Sequence, residues 1–147
     1  MSTYITIEEA DVYFNTRLWS DAWLNASLSD KIKALTMATQ IINNLKFQGM
    51  KVSPNQDLEF PRDIHTQIPD NVKYACAEIA YTLLQGVDIE KEIAKLRVVA
   101  DRLPSVSVTY DTTIIPENLL AGIPSYRAWV LLKPYLVDMA EIEVSRV

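Results

Sequence analysis

The side chains that most often carry chemistry are few in this chain, and they are far apart. There is one histidine, His65, and one cysteine, Cys76. A metal site of the usual kind needs three or four His, Cys, Asp or Glu ligands at close spacing, so this pair makes none. A Cys–His nucleophile would need a thiolate, and Cys76 falls on an apolar helical stripe where the charged form is disfavoured. It reads as a small buried hydrophobe. The three glycines, Gly49, Gly86 and Gly122, are too dispersed to form a loop that cradles a phosphate. Glu8, Glu9 and Asp11 cluster at a helix start, where they complement the positive end of the dipole. Glu90 and Glu92 alternate with Lys91 and Lys95 as a solvated charged face. The chain is therefore expected not to be an enzyme, with no catalytic, cofactor-binding or metal-ligating residues.

Phosphate binding fares little better. Lys91, Lys95, Arg97 and Arg102 lie within a short span, but Glu90, Glu92 and Asp101 dilute them and no aromatic is interleaved for base stacking. The net charge is −5, and residues 1–30 carry five acids against one base, Arg17. No basic block is present that would hold a nucleic-acid backbone by releasing counterions.

These residues must be positioned by a small framework. The 147 residues fit one domain, the 49% hydrophobic content supplies a core, and 22% charged residues is ordinary for a globular chain. The single cysteine excludes an intrachain disulfide. Met1 to Ile7 does not read as a signal peptide, and no apolar run reaches the length of a membrane span.

Thr6-Ile7-Glu8-Glu9 has the spacing of a capping box and predicts a helix to about Phe14. A second short helix is expected over Arg17–Ala26, with Trp19 and Trp23 both packed in the core. Ser27 or Ser29 opens a longer helix whose Ile32, Leu35, Thr39, Ile42 and Leu45 recur at helical spacing, ending near Lys46. Pro69 suits the first position of a helix running through Val72, Cys76, Ile79 and Leu84 to a stop at Gly86. Between them lies the long loop 47–68, of a length that is usually functional or mobile. Asp88–Leu96 reads as a helical turn or two. Val106, Val108 and Tyr110 alternate with polar residues as a strand, which Val98-Val99-Ala100 would pair with to make a hairpin over 98–110. Pro124 opens a last helix that Pro134 should kink or end. In the tail, Ile142 and Val144 alternate with Glu141, Glu143 and Ser145.

The fold expected is thus mainly α: a compact bundle of about four to five helices with a small β-hairpin and an extended C-terminal tail. Residues 1–137 form one domain and 138–147 the tail. Loop, hairpin and tail each carry apolar side chains or strand edges of the kind partners bury. The loop and hairpin either serve partners or fold back on their own domain; the tail, as a terminus, favours a partner.

The ordered set of segments resembles a known family. It consists of Tyr4-Ile5-Thr6, Glu8-Glu9-Ala10-Asp11 with Tyr13-Phe14, Trp19 and Trp23, Lys33-Ala34-Leu35, Gln56-Asp57-Leu58-Glu59-Phe60-Pro61-Arg62, Ile68-Pro69 with the helix to Leu84, Val106–Tyr110, and Leu132-Lys133-Pro134-Tyr135-Leu136. The family is that of the DnaT-like single-stranded-DNA-binding proteins of tailed bacteriophages, several of which act as head–tail adaptors (connectors, or neck proteins). The resemblance implies a homo-oligomeric, dodecameric ring beneath the portal protein at the capsid vertex. Such a ring extends the DNA channel, serves DNA packaging and ejection, and joins the capsid to a downstream neck or tail-terminator protein. Double-stranded DNA passes through it without specific binding, and no membrane is involved. The location implied is the virion neck, with the host cytoplasm before assembly. Ile142, Val144 and Val147 of the tail would bind the portal. Phe60, Pro61 and Arg62 would fix the loop against a neighbouring subunit or the domain's own helices. Val106, Val108 and Tyr110 would meet the downstream protein or line the channel. The alternative is a single-stranded-DNA-binding, primosome-like accessory protein.

Overall fold

Side-chain caps set the starts of three of the described helices. The computed structural model describes residues 2–101 and 115–137. Helix α1, Ile7–Asn15, opens on the expected capping box: the Glu9 amide donates to Thr6 Oγ1 at 3.1 Å and the Thr6 amide to Glu9 Oε1 at 3.2 Å. A four-residue α2, Asp21–Leu24, follows. Of the two candidate serines, Ser27 caps α3, Leu28–Asn43, accepting from the Asp30 amide. That helix ends before Lys46: the amides of Asn44 and Leu45 bond three residues back, which tightens the last turn.

Pro69 stands as the cap of α4, Asp70–Leu84, one position earlier than expected. Gly86, at φ +87°, terminates it by donating to Leu83 O. Helix α5 spans Ile89–Asp101, α6 Glu117–Leu120 and α7 Tyr126–Leu132, the last capped by Ser125. At Pro134 the α-helix gives way to a 3-10 turn, Lys133–Tyr135.

The protein is mainly helical, and among the described residues β structure is confined to three isolated antiparallel bridges. Helix α4 is the axis. Val72, Ala75 to Tyr81 are buried round its whole circumference, which marks a central helix. Its small residues, Ala75, Cys76, Ala77 and Ala80, let α3 and α7 approach closely, while α1 and α2 cover the remainder. Tyr4, Ile5, Phe14, Trp23, Leu35, Ile42, Ile79, Ile123 and Leu132 complete the core.

Three expectations are corrected. Val98-Val99-Ala100 is not the first strand of a hairpin but the end of α5, which the spacing of Ile89, Ile93 and Leu96 carries forward as a helix. The second half of that hairpin, with Val106, Val108 and Tyr110, lies outside the described residues, as do Ile142, Val144 and Val147 of the tail. Trp19 is not in the core: it is 72% exposed, whereas Trp23 is fully buried and stacks on Phe14. Ile32 is half exposed too, in the turn of α3 where the Lys31 ammonium lies over the Trp23 ring.

Candidate interaction surface

The long loop owes its shape to Arg62, a charged residue that is 7% exposed. Its guanidinium is consumed by backbone carbonyls. Nε donates to Gln48 O at 2.8 Å, Nη1 to Glu59 O at 3.0 Å, and Nη2 to Gly49 O and Phe47 O. The Glu59 carboxylate supplies the countercharge at 3.3 Å. A planar fork of five donors suits this task, because it satisfies four carbonyls that lie in no ladder. Phe60, joined to Pro61 by a cis peptide, is buried between Phe47, Tyr4, Tyr135 and His65. Tyr4 anchors the same corner from the N-terminus, accepting from the Glu59 amide at 2.8 Å and donating to Asn43 Oδ1. Burial holds its phenol well above the ordinary range. The structure therefore places Phe60 and Arg62 inside their own domain, with Pro61 half-buried beside them.

The loop also has an outer face. Residues 49–52 run against 61–65: the Asp63 amide donates to Met50 O, the Met50 amide to Asp63 Oδ1, and the Val52 amide to Pro61 O. Extended chain sends alternate side chains to opposite sides, which puts Met50 and Val52 on the side away from Lys51, while Ile64 sits in the 63–64 turn. Lys51 and Arg62 pair with Glu59, while Met50, Val52 and Ile64 are exposed by 73%, 60% and 58%. Gly49, at φ +80°, closes the corner where any Cβ would collide with the Asp63 carboxylate.

A second apolar display sits between α1 and α2. Leu18 is 73% exposed beside Trp19, and Trp19 holds φ +56°, a left-handed conformation that a bulky residue seldom adopts. What holds it is a buried network. Arg17 forks onto Glu78 of α4, Nε to Oε2 at 2.8 Å and Nη2 to Oε1 at 3.0 Å, and its Nη1 donates to both Leu18 O and Trp19 O at 2.7 Å. Tyr81 also donates to Trp19 O, and Tyr13 to Glu78. The guanidinium lies over the Tyr81 ring, 4.4 Å from its centre. Burial pulls the Arg17 pKa down, but the hydrogen bond and charge of Glu78 win and raise it. Burial, and then Glu78, raise that of the Tyr13 phenol. Arg127 of α7 stands 6.0 Å over the exposed Trp19 ring.

Sequence reasoning missed this knob, because Trp19 and Trp23 have the spacing of one helical face. The only available signal was the shortness of the segment, which leaves room for a turn at Trp19.

The reactive side chains among the described residues lie apart from both displays. Among the described residues no group of three His, Cys, Asp or Glu could hold a metal ion. Cys76 is buried near Thr39, and burial pushes its thiol up to about 11. His65 packs edge-on against Tyr135 in the loop corner. No described helix is long and apolar enough to cross a membrane.

One family model matches the chain from residue 1 to residue 147, and its description is "Putative DnaT-like ssDNA binding protein". No curated protein and no solved structure matches. The match bears on the DnaT-like half of the resemblance and carries nothing on a head–tail role. Spanning every segment from Tyr4-Ile5-Thr6 to Leu136, it shows that the chain belongs to the DnaT-like ssDNA binding protein family.

Proposed function

We propose that the chain is a structural virion protein, a head–tail adaptor. Its copies form a ring beneath the portal, extend the DNA channel and connect the capsid to the tail or to the next neck protein. The observation that carries this reading is an acidic chain that holds large apolar side chains out to solvent on rigid supports. Exposed apolar patches suit protein partners. A net charge of −5 suits a wall past which DNA slides without sticking. In that setting the tail 138–147 grips the portal through Ile142, Val144 and Val147.

The second reading is a single-stranded-DNA-binding, primosome-like accessory protein. The family's description speaks for it more directly than for an adaptor. The exposed Trp19 with Arg127 above it is the type of pair on which an unpaired base stacks.

One titration separates the two. Binding of a fluorescent single-stranded oligonucleotide is followed as salt is raised, with Trp19 emission as a second signal. The adaptor reading expects weak binding at low salt and none near physiological ionic strength. Tight binding that falls steeply with salt, quenches Trp19 and is lost in Arg127→Ala establishes the second reading and removes the first.

A further inference from the structure

The two apolar displays sit at opposite ends of the axis helix. The Leu18–Trp19 knob is tied to Glu78 and Tyr81 in the later turns of α4, while the Met50–Val52 face lies on the loop that leads into Asp70. From Asp70 to Tyr81 the helix rises by about 16 Å. Both displays are rigid. The knob is locked by Arg17 and Tyr81, and the loop face by Arg62 and Asp63. They are also complementary. Arg127 stands beside Trp19 and Asp63 beside Met50, and a thioether is a favourable neighbour for an indole ring. Asp21, the acid nearest the knob in sequence, sits in the first turn of α2, where it offsets that helix's own dipole. The left-handed turn brings Trp19 O to Arg17 and Tyr81 and leaves the indole ring 72% exposed. A chain that fixes a tryptophan in that posture presents it to something.

We infer that the occupant is a second copy of this chain: the Leu18–Trp19 knob of one subunit docks on the Met50–Val52 face of the next. The inference rests on the ring reading and deepens it. Two different patches at opposite ends make a head-to-tail contact, and such a contact generates a ring when its rotation closes. Trp19 is the central anchor, and Arg127 meets Asp63 at the rim.

The test uses two full-length variants that keep the fold. Trp19→Gly removes the side chain at a φ that glycine adopts freely. Met50→Asp adds a charge at an exposed position. Each is measured by sedimentation and native mass spectrometry, alone and mixed in equal amounts, beside the wild type. The expected result is self-association of the wild type that weakens by about thirtyfold or more in each variant, the scale of a central tryptophan. The mixture should form a one-to-one heterodimer, because one variant keeps its loop face and the other its knob. Wild-type association undiminished in both variants overturns this contact and leaves the ring standing. Loss in Trp19→Gly alone indicates a symmetric knob-to-knob pairing and also overturns it, as does loss in both with no heterodimer. A wild type that stays monomeric at every concentration overturns the ring reading and the contact together.

Discussion

Arg62 is charged by type and structural by employment. Its five donors serve the carbonyls of Phe47, Gln48, Gly49 and Glu59 and the Glu59 carboxylate, so its truncation strands several acceptors at once. Leaving one buried acceptor unsatisfied costs about 1–3 kcal/mol, and losing the buried charge partner adds to that. Arg62→Ala is accordingly expected to lower stability by about 3 kcal/mol, read as a shift in the urea midpoint. Arg62→Lys should recover little of it, since a point charge cannot fork. A midpoint unchanged in Arg62→Ala would show that the loop holds its form without the guanidinium. The corner of Phe60, Pro61 and Arg62 was legible as a feature from the sequence, but its partners were not. An arginine in a loop carries no local sign of which carbonyls will come to it, because Gln48 and Gly49 are brought there by chain closure. The same limit explains Trp19: its type and spacing matched Trp23, and only the backbone reversal at φ +56° separates an exposed ring from a buried one.

At the scale of elements, α1 is held on α4 by contacts of unequal worth. The Glu9–Lys73 pair at 2.8 Å is partly open to water on both sides, and the Lys73 ammonium holds the Glu9 carboxyl below its ordinary value. The Arg17–Glu78 pair has the same length, but its side chains are only 13% and 3% exposed. Solvent-screened pairs contribute roughly 0–1 kcal/mol, whereas removing one partner of a buried pair costs about 3–5 kcal/mol. Lys73→Met should therefore leave the thermal midpoint within a few degrees of the wild type. Arg17→Met should unfold far earlier and loosen the Trp19 turn, seen as a change in tryptophan emission. Equal effects from the two would contradict the ranking. The helices themselves were largely readable in advance. Thr6, Ser27 and Gly86 mark ends by the donors and acceptors they satisfy, and α3 and α4 repeat apolar residues at helical spacing. Helix α5 was cut short because two β-branched residues, Val98 and Val99, resemble a strand. The continuing four- and three-residue spacing of Ile89, Ile93 and Leu96 was the better guide.

At the scale of the whole molecule, the seam near residue 137 divides the described domain from the tail to which the adaptor reading gives the portal contact. The last described contacts close the domain on itself: the Val137 amide donates to Lys46 O, Gln48 N to Tyr135 O, and the Gln48 side chain to Leu136 O. Every core side chain named above precedes that seam. On the adaptor reading those residues carry the portal contact, with Ile142 and Val144 as anchors between Glu141, Glu143 and Ser145. A chain ending at Val137 should then melt cooperatively within a few degrees of the full-length protein and keep the Arg17–Glu78 network that shapes Trp19 emission, yet fail to bind portal rings in a pull-down. Portal binding retained by the truncated chain would remove the tail from the adaptor mechanism and shift the contact to the Leu18–Trp19 or Met50–Val52 surfaces. A truncated chain that no longer folds would instead place residues 138–147 within the domain. The double variant Ile142→Asp/Val144→Asp in the full-length chain distinguishes that case, because it alters the apolar anchors while leaving the chain its full length.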